Sequence, residues 1–214
     1  MARPDVEIDT LIVEGTYGAT PIYHGTEYPR EVERFAADVA GVLARGGSVL
    51  IPTFALGRTQ EVLALLKRLR GQGLLPRTPL FVSGLGRTFS EIHDRQRRDP
   101  WLKKFRWKFE SSAEVLESWH LAEPQKLFAE PSIFLLTSGM MIENTMSARM
   151  AEKMVGDPRH AIFFVGYVDP EELGHRVLNA QVGEWLEFQR GNPMTQVKTS
   201  DIRRYYFSAH ADRE

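Results

Sequence analysis

Apolar positions along the 214-residue chain follow two rhythms, short aliphatic or β-branched runs and longer stretches in which apolar residues return every three or four positions. The short runs at residues 8–13, 48–51, 80–83, 133–137 and 161–165 predict buried strands. Between them, Val32, Phe35, Ala36, Val39, Ala40 and Leu43 predict a helix over about 29–44, with Pro29 in its first turn and Gly46-Gly47 as its stop. A second helix is predicted by Val62, Leu63, Leu65, Leu66 and Leu69. A third is opened by Thr88 with Glu91 three residues on, in the manner of a capping box. A fourth runs from about Asn144 to Met154 and is ended by Gly156-Asp157-Pro158. Shorter helices are predicted over 113–120 and between Pro124 and Pro131. Strands that alternate with helices imply an α/β fold of three layers with a mainly parallel, Rossmann-like sheet. The rhythm changes after Arg176, where 184–189, 194–198 and 202–207 predict short, extra antiparallel strands near the C-terminus.

The chemistry gathers where the predicted strands end. The run at 48–51 breaks at Pro52 and turns through Phe54-Ala55-Leu56-Gly57-Arg58 into the second helix. A helix N-terminus at the carboxyl end of a strand offers unpaired N–H groups to an anion. An ordinary βα unit with a solvated Arg58 and Gln60 fits the same residues. Glu14 stands beside Gly15 and Gly18 at the end of the first strand, as a functional acid or a turn residue. The Gly84-Leu85-Gly86 loop lacks the lysine of a P-loop and the third glycine of a dinucleotide fingerprint. Ser138-Gly139-Met140 and Gly166-Tyr167 close the next two strands.

Composition narrows the classes without choosing among them. An apolar fraction of 43% and a charged fraction of 26% are those of a globular chain. With 27 basic and 28 acidic side chains there is no global field for nucleic acid, so any such binding rests on local patches. One patch stands out: residues 87–108 carry eight Lys or Arg against Glu91, Asp94 and Asp99, interleaved with Trp101, Phe105 and Trp107. It is a solvated helical face or a stacking and phosphate-tracking surface. The lack of cysteine removes disulfides and thiolate metal ligands. No apolar leader or span of about 18 residues occurs, so a cytoplasmic protein with no membrane partner is expected. The histidines at 24, 93, 120, 160, 175 and 210 form no close metal-binding pair, and His210 with Asp212 is the nearest approach.

Five segments in order, LIVEGTYG (11–18), LIPTFALGRTQE (50–61), LLTSGMM (135–141), FFVGYVDPEELGHR (163–176) and FSAHAD (207–212), resemble the β-CASP branch of the metallo-β-lactamase-fold nucleases, the ribonuclease J-like and mRNA 3′-end-processing family. The resemblance implies a cap domain over residues 18–206, with 1–17 and 207–214 as the trailing and returning edges of an absent metallo-β-lactamase domain. It implies hydrolysis of RNA phosphodiester bonds by two zinc ions held outside this segment, none being expected within it. By position, Glu14 and His210 resemble the family's catalytic acid and cap-exit histidine. Thr53, Arg58, Ser138, Gly139, Tyr167, Arg176 and Ser208 are the expected phosphate-binding residues, with His175 where the family has a small residue. The implied partners are single-stranded RNA, the lactamase domain and, through the surface that domain would cover, a second copy of the chain. A non-catalytic β-CASP scaffold or RNA-binding module, and a nucleotide-binding α/β domain of another class, are the alternatives.

Overall fold

The computed structural model describes residues 9–13, 28–96, 108, 113–116, 118–137 and 139–207. In chain order these form α1 (Tyr28–Ala44), β1 (Val49–Thr53), α2 (Arg58–Gly71), β2 (Leu80–Val82), α3 (Gly84–Arg95), β3 (Glu114–Val115), a 3₁₀ turn (Ser118–Ala122), α4 (Pro124–Leu127), β4 (Ile133–Thr137), α5 (Met146–Met154), β5 (Ala161–Phe164), α6 (Leu173–Asn179), β6 (Trp185–Leu186), β7 (Thr195–Gln196) and β8 (Ile202–Arg204). Six strands make one sheet in the order β3-β2-β4-β1-β5-β8, every neighbouring pair parallel. A separate hairpin pairs β6 with β7 antiparallel. The α/β fold with a mainly parallel sheet and a small antiparallel addition is therefore as the periodicity predicts.

Register assigns the layers. Residues paired across parallel strands share a face, and the face alternates along each strand. Phe81, Phe134, Leu50 and Ile162 are paired in one row, and Phe134 meets Phe128 beyond α4 edge-on. The alternate row carries Phe163 against Phe35 of α1, Thr53 against Thr59 of α2 and Thr137 under Gly86 of α3. Helices α1, α2 and α3 thus cover one face and α4 the other. The crossover β4–α5–β5 steps across the sheet in the direction opposite to β1–α2–β2, so right-handed connections put α5 beside α4. With both faces covered, β1 and β5 are buried throughout, which is why their sequences are apolar apart from Thr53 at the end of β1.

Several expectations are corrected. Leu11, Ile12 and Val13 form no strand and are exposed, Ile12 by 93%; they have no strand partner among the described residues. β1 runs through Pro52 instead of breaking there. The carbonyl of Ser48 bonds toward β5 and the N–H of Val49 toward β4. Pro52 therefore addresses β5, where pairing with β1 ends at Leu50, and its missing N–H costs no ladder bond. α3 begins at Gly84, not Thr88, so the glycine loop is the helix's first turn. Where a helix is expected over 113–120, Glu114–Val115 form β3 and Ser118 opens the 3₁₀ turn, because Leu116 N–H donates to Val82 O and the chain joins the sheet edge. β8 pairs parallel with β5, not antiparallel, since the β6–β7 hairpin returns the chain to run with the main sheet. α6 follows the β5 exit, where the sequence pattern predicts no helix.

Candidate nucleic-acid interface

The loops at the carboxyl ends of β1, β2, β4 and β5 lie along one rim of the sheet, and those leaving β1 and β4 depart to opposite faces. This is the crevice in which open α/β sheets hold ligands. Thr53, at the end of β1, is fully buried, and its hydroxyl lies 2.9 Å from Thr59 Oγ1. Thr59 donates its N–H (3.2 Å) and its O–H (2.8 Å) to Phe54 O. Gly57, at φ 80°, donates its N–H to Gln60 Oε1 at 2.8 Å. Gln60 Nε2 reaches Ala55 O, Gly86 O and Ser90 Oγ, tying the β1–α2 turn to α3. Arg58 closes the turn with only 14% of its side chain exposed, its Nη1 2.5 Å from Glu61 Oε2. Burial pushes the Glu61 carboxyl above its ordinary range, and the Arg58 guanidinium offsets part of that rise.

The β2 and β4 exits are locked to each other. Thr137 Oγ1 donates to Ser83 O at 2.9 Å. Ser83 precedes α3, and its buried hydroxyl makes no hydrogen bond among the described residues. A Cβ on Gly86 would fall 2.3 Å from Thr137 Cγ2 and 3.0 Å from Thr59 Cγ2, so glycine lets α3 seat its first turn on the end of β4 and the first turn of α2. Beyond β4, Gly139 has φ 55°, and Met140 and Met141 follow at 64° and 73°. At the β5 exit Tyr167 is 60% exposed. Arg176 of α6 donates through Nη2 to Glu143 Oε1 at 2.5 Å and through Nη1 to Glu187 O at 3.4 Å. Phe54, Leu56, Leu85 and Ile142 add exposed apolar surface in the same exit loops and first helical turns.

Of the expected residues, Thr53 and Arg58 share the β1–α2 turn, and Gly139 is joined to Arg176 through the Glu143 pair in its own loop. Tyr167 stands on the neighbouring exit. Glu14, Ser138, Ser208 and His210 lie outside the described residues, as do Trp101, Phe105 and Trp107 of the basic segment. Sequence reasoning missed Thr59, Gln60, Thr137, Gly86, Gly166 and Gly174. A glutamine three residues past Gly57 is half of a capping box and was a usable signal; the glycines gave none, because their neighbours are distant in sequence. Among the described residues no group of three or more His, Asp or Glu could hold a metal ion. These residues do not fit a zinc centre.

A parallel sheet whose connections leave β1 and β4 to opposite faces defines a doubly wound α/β domain. Residues 59–177 match the Beta-Casp domain, and the chain belongs to that family. It is 28% identical to Transcription termination factor FttA of Methanothermobacter thermautotrophicus over 96% of this chain and 33% of that protein. The Thermococcus kodakarensis protein of the same name is 29% identical over 96% of this chain and 33% of its own length. Integrator complex subunit 11 of Gallus gallus is 30% identical over 98% of this chain and 33% of that protein. The chain spans about a third of the length of these curated relatives. The family expectation carried by the five ordered segments is thus borne out. No helix among the described residues is long and apolar enough to cross a membrane.

Proposed function

We propose that this chain is the RNA-binding cap of a zinc-dependent ribonuclease of RNA processing or decay, with the two-zinc hydrolytic centre supplied by a metallo-β-lactamase domain outside these 214 residues. The observation that carries the reading is the convergence, in a member of the Beta-Casp family, of the β4 and β5 exits and α6, which present Gly139, Tyr167 and Arg176 on one rim. Hydrolysis of a phosphodiester requires the strand to be held while charge develops on its phosphate oxygens. In this reading the rim holds it: Tyr167 stacks a base, Arg176 meets a phosphate, and backbone N–H groups at the β4 exit meet the next. Ser138 and Ser208 add hydroxyls, while Glu14 and His210 belong to the junction with the catalytic domain. Thr53 supports the rim from beneath. Arg58 reaches a phosphate only by exchanging it for Glu61.

A non-catalytic scaffold is the second reading. The observation favouring it is that both guanidiniums, Arg58 and Arg176, are already paired with carboxylates. Fluorescence anisotropy with the isolated chain separates the readings. The cap reading expects salt-sensitive binding of a labelled single-stranded oligoribonucleotide that excess mononucleotide fails to displace. Absence of RNA binding at low salt favours the scaffold, and tight mononucleotide binding without preference for single strands refutes both.

A further inference from the structure

The backbone after β4 is in a conformation that its own residues disfavour. Gly139, Met140 and Met141 lie in succession at φ 55°, 64° and 73°, and Asn144 follows at 62°. Left-handed backbone is disfavoured for a residue with a side chain, because its Cβ crowds the carbonyl oxygen that follows. Met140 and Met141 are both buried, so their surroundings hold them there. Those surroundings are two glycines from later in the chain. Gly174, in the first turn of α6, donates its N–H to Met141 O at 2.9 Å, and a Cβ at that position would lie 2.1 Å from Met140 O. A Cβ on Gly166, at the β5 exit, would lie 2.5 Å from Met140 Cε, with Phe54 Cε2 at 3.8 Å. Neither glycine is left-handed. Both are needed for space, not for conformational freedom.

The geometry points to Gly166 and Gly174 as positioning residues that seat Met140 under the left-handed turn and so fix the β4 exit loop as an RNA-binding surface. α6 grips that loop twice. Its Gly174 N–H holds the Met141 carbonyl, and two residues on, Arg176 holds Glu143 at the loop's far side. Met140 reaches from beneath to the exit of β5, so one side chain ties the β4 and β5 exits together. The inference rests on the RNA-binding reading and adds to it the residues that set the shape of the surface.

The test uses the whole chain, a fluorescein-labelled oligouridylate and thermal melting. G166A and G174A each weaken binding roughly tenfold, the size of one lost charge-assisted hydrogen bond. Met140→Ala restores affinity to G166A, whose clash is with the end of a flexible side chain. It does not restore G174A, whose clash is with the Met140 carbonyl. Val39→Ala, in the α1 face of the core, lowers the melting temperature and leaves affinity unchanged. Because G174A pushes on backbone and can fail to fold, G166A and its rescue carry the decision. Tight binding by G166A overturns the inference alone, as does an equal loss in Val39→Ala or failure of the rescue. An unsubstituted chain that does not bind the oligouridylate overturns the reading beneath it.

Discussion

His160 joins three parts of the fold through one ring. Its Nδ1 accepts the Ser48 N–H at 3.0 Å, its carbonyl accepts the Thr199 hydroxyl at 2.6 Å, and Phe128 packs on it at 4.6 Å between ring centroids. An accepting Nδ1 cannot be protonated. Burial holds the imidazole below its ordinary pKa, with Asp157 opposing and Arg159 and Arg45 adding to the shift. A depressed folded pKa means that the unfolded chain takes up the proton first. The stability is therefore present above about pH 6.5, the ordinary histidine value, and is lost as pH falls from there toward the folded value. Asp157, held to about 2 chiefly by its Arg159 hydrogen bonds, titrates in a lower window. His160→Asn keeps an acceptor for Ser48 and removes the titration, so its urea midpoint should vary less between pH 6.5 and 4.5 than that of the parent. An equal slope in both proteins would remove His160 from the account. Thr53 gives a second expectation. Thr53→Val deletes a buried hydroxyl bonded to Thr59 and should cost about 1 kcal/mol in denaturant titrations. RNA affinity should stay unchanged, since a fully buried hydroxyl meets no phosphate.

At the scale of elements, α1 and β8 are clasped by a charged cluster above an aromatic one. Glu31 is buried, takes two bonds from Arg34 at 3.0 and 2.6 Å, and accepts the Tyr206 N–H at 2.8 Å. Asp38 accepts the Tyr205 hydroxyl at 2.6 Å and Arg203 at 2.7 Å, and Arg34 lies 4.2 Å over the Tyr205 ring. Below them Phe35 meets Phe163, Tyr205 and Phe207 edge-on. Glu31→Ala orphans the Tyr206 N–H and the Arg34 guanidinium and should cost about 2 kcal/mol. Hydrogen exchange should lose protection at Tyr205 and Tyr206 while Leu63 and Leu66 of α2 keep theirs; loss spread evenly over both would mean that the clasp is no separate unit. The sequence announced elements whose packing is repetitive. α1, α2, β4 and β5 were legible because a buried stripe or run leaves its period in the residue order. The start of α3, and β3, α6 and the direction of β8, were not. In each, a contact distant in sequence overrode the local signal: Gly86 on Thr137, Leu116 on Val82, Gly174 on Met140, and β8 on β5. The candidate site divides in the same way. Arg58 and Arg176 are visible as charges at strand exits, but their partners Glu61 and Glu143, and the burial of Thr53, are properties of the folded chain.

For the whole molecule, the claim is that one rim of the sheet is the RNA face. The net charge of −1 gives no general attraction for a polyanion, so binding has to be local and its loss has to be local too. That is tested most directly by anisotropy titrations of a labelled single-stranded oligoribonucleotide with the parent chain, a Tyr167→Ala/Arg176→Ala double variant and Arg77→Ala. Arg77 is an exposed cation in the connection into β2, at the opposite end of the sheet. One stacked base and one phosphate contact are together worth at least about tenfold in affinity, and losing the phosphate contact should lower the salt slope by about 0.7. The account predicts that loss and that change of slope in the double variant and neither in Arg77→Ala. Equal affinities for all three proteins, or equal losses in the two variants, would contradict it.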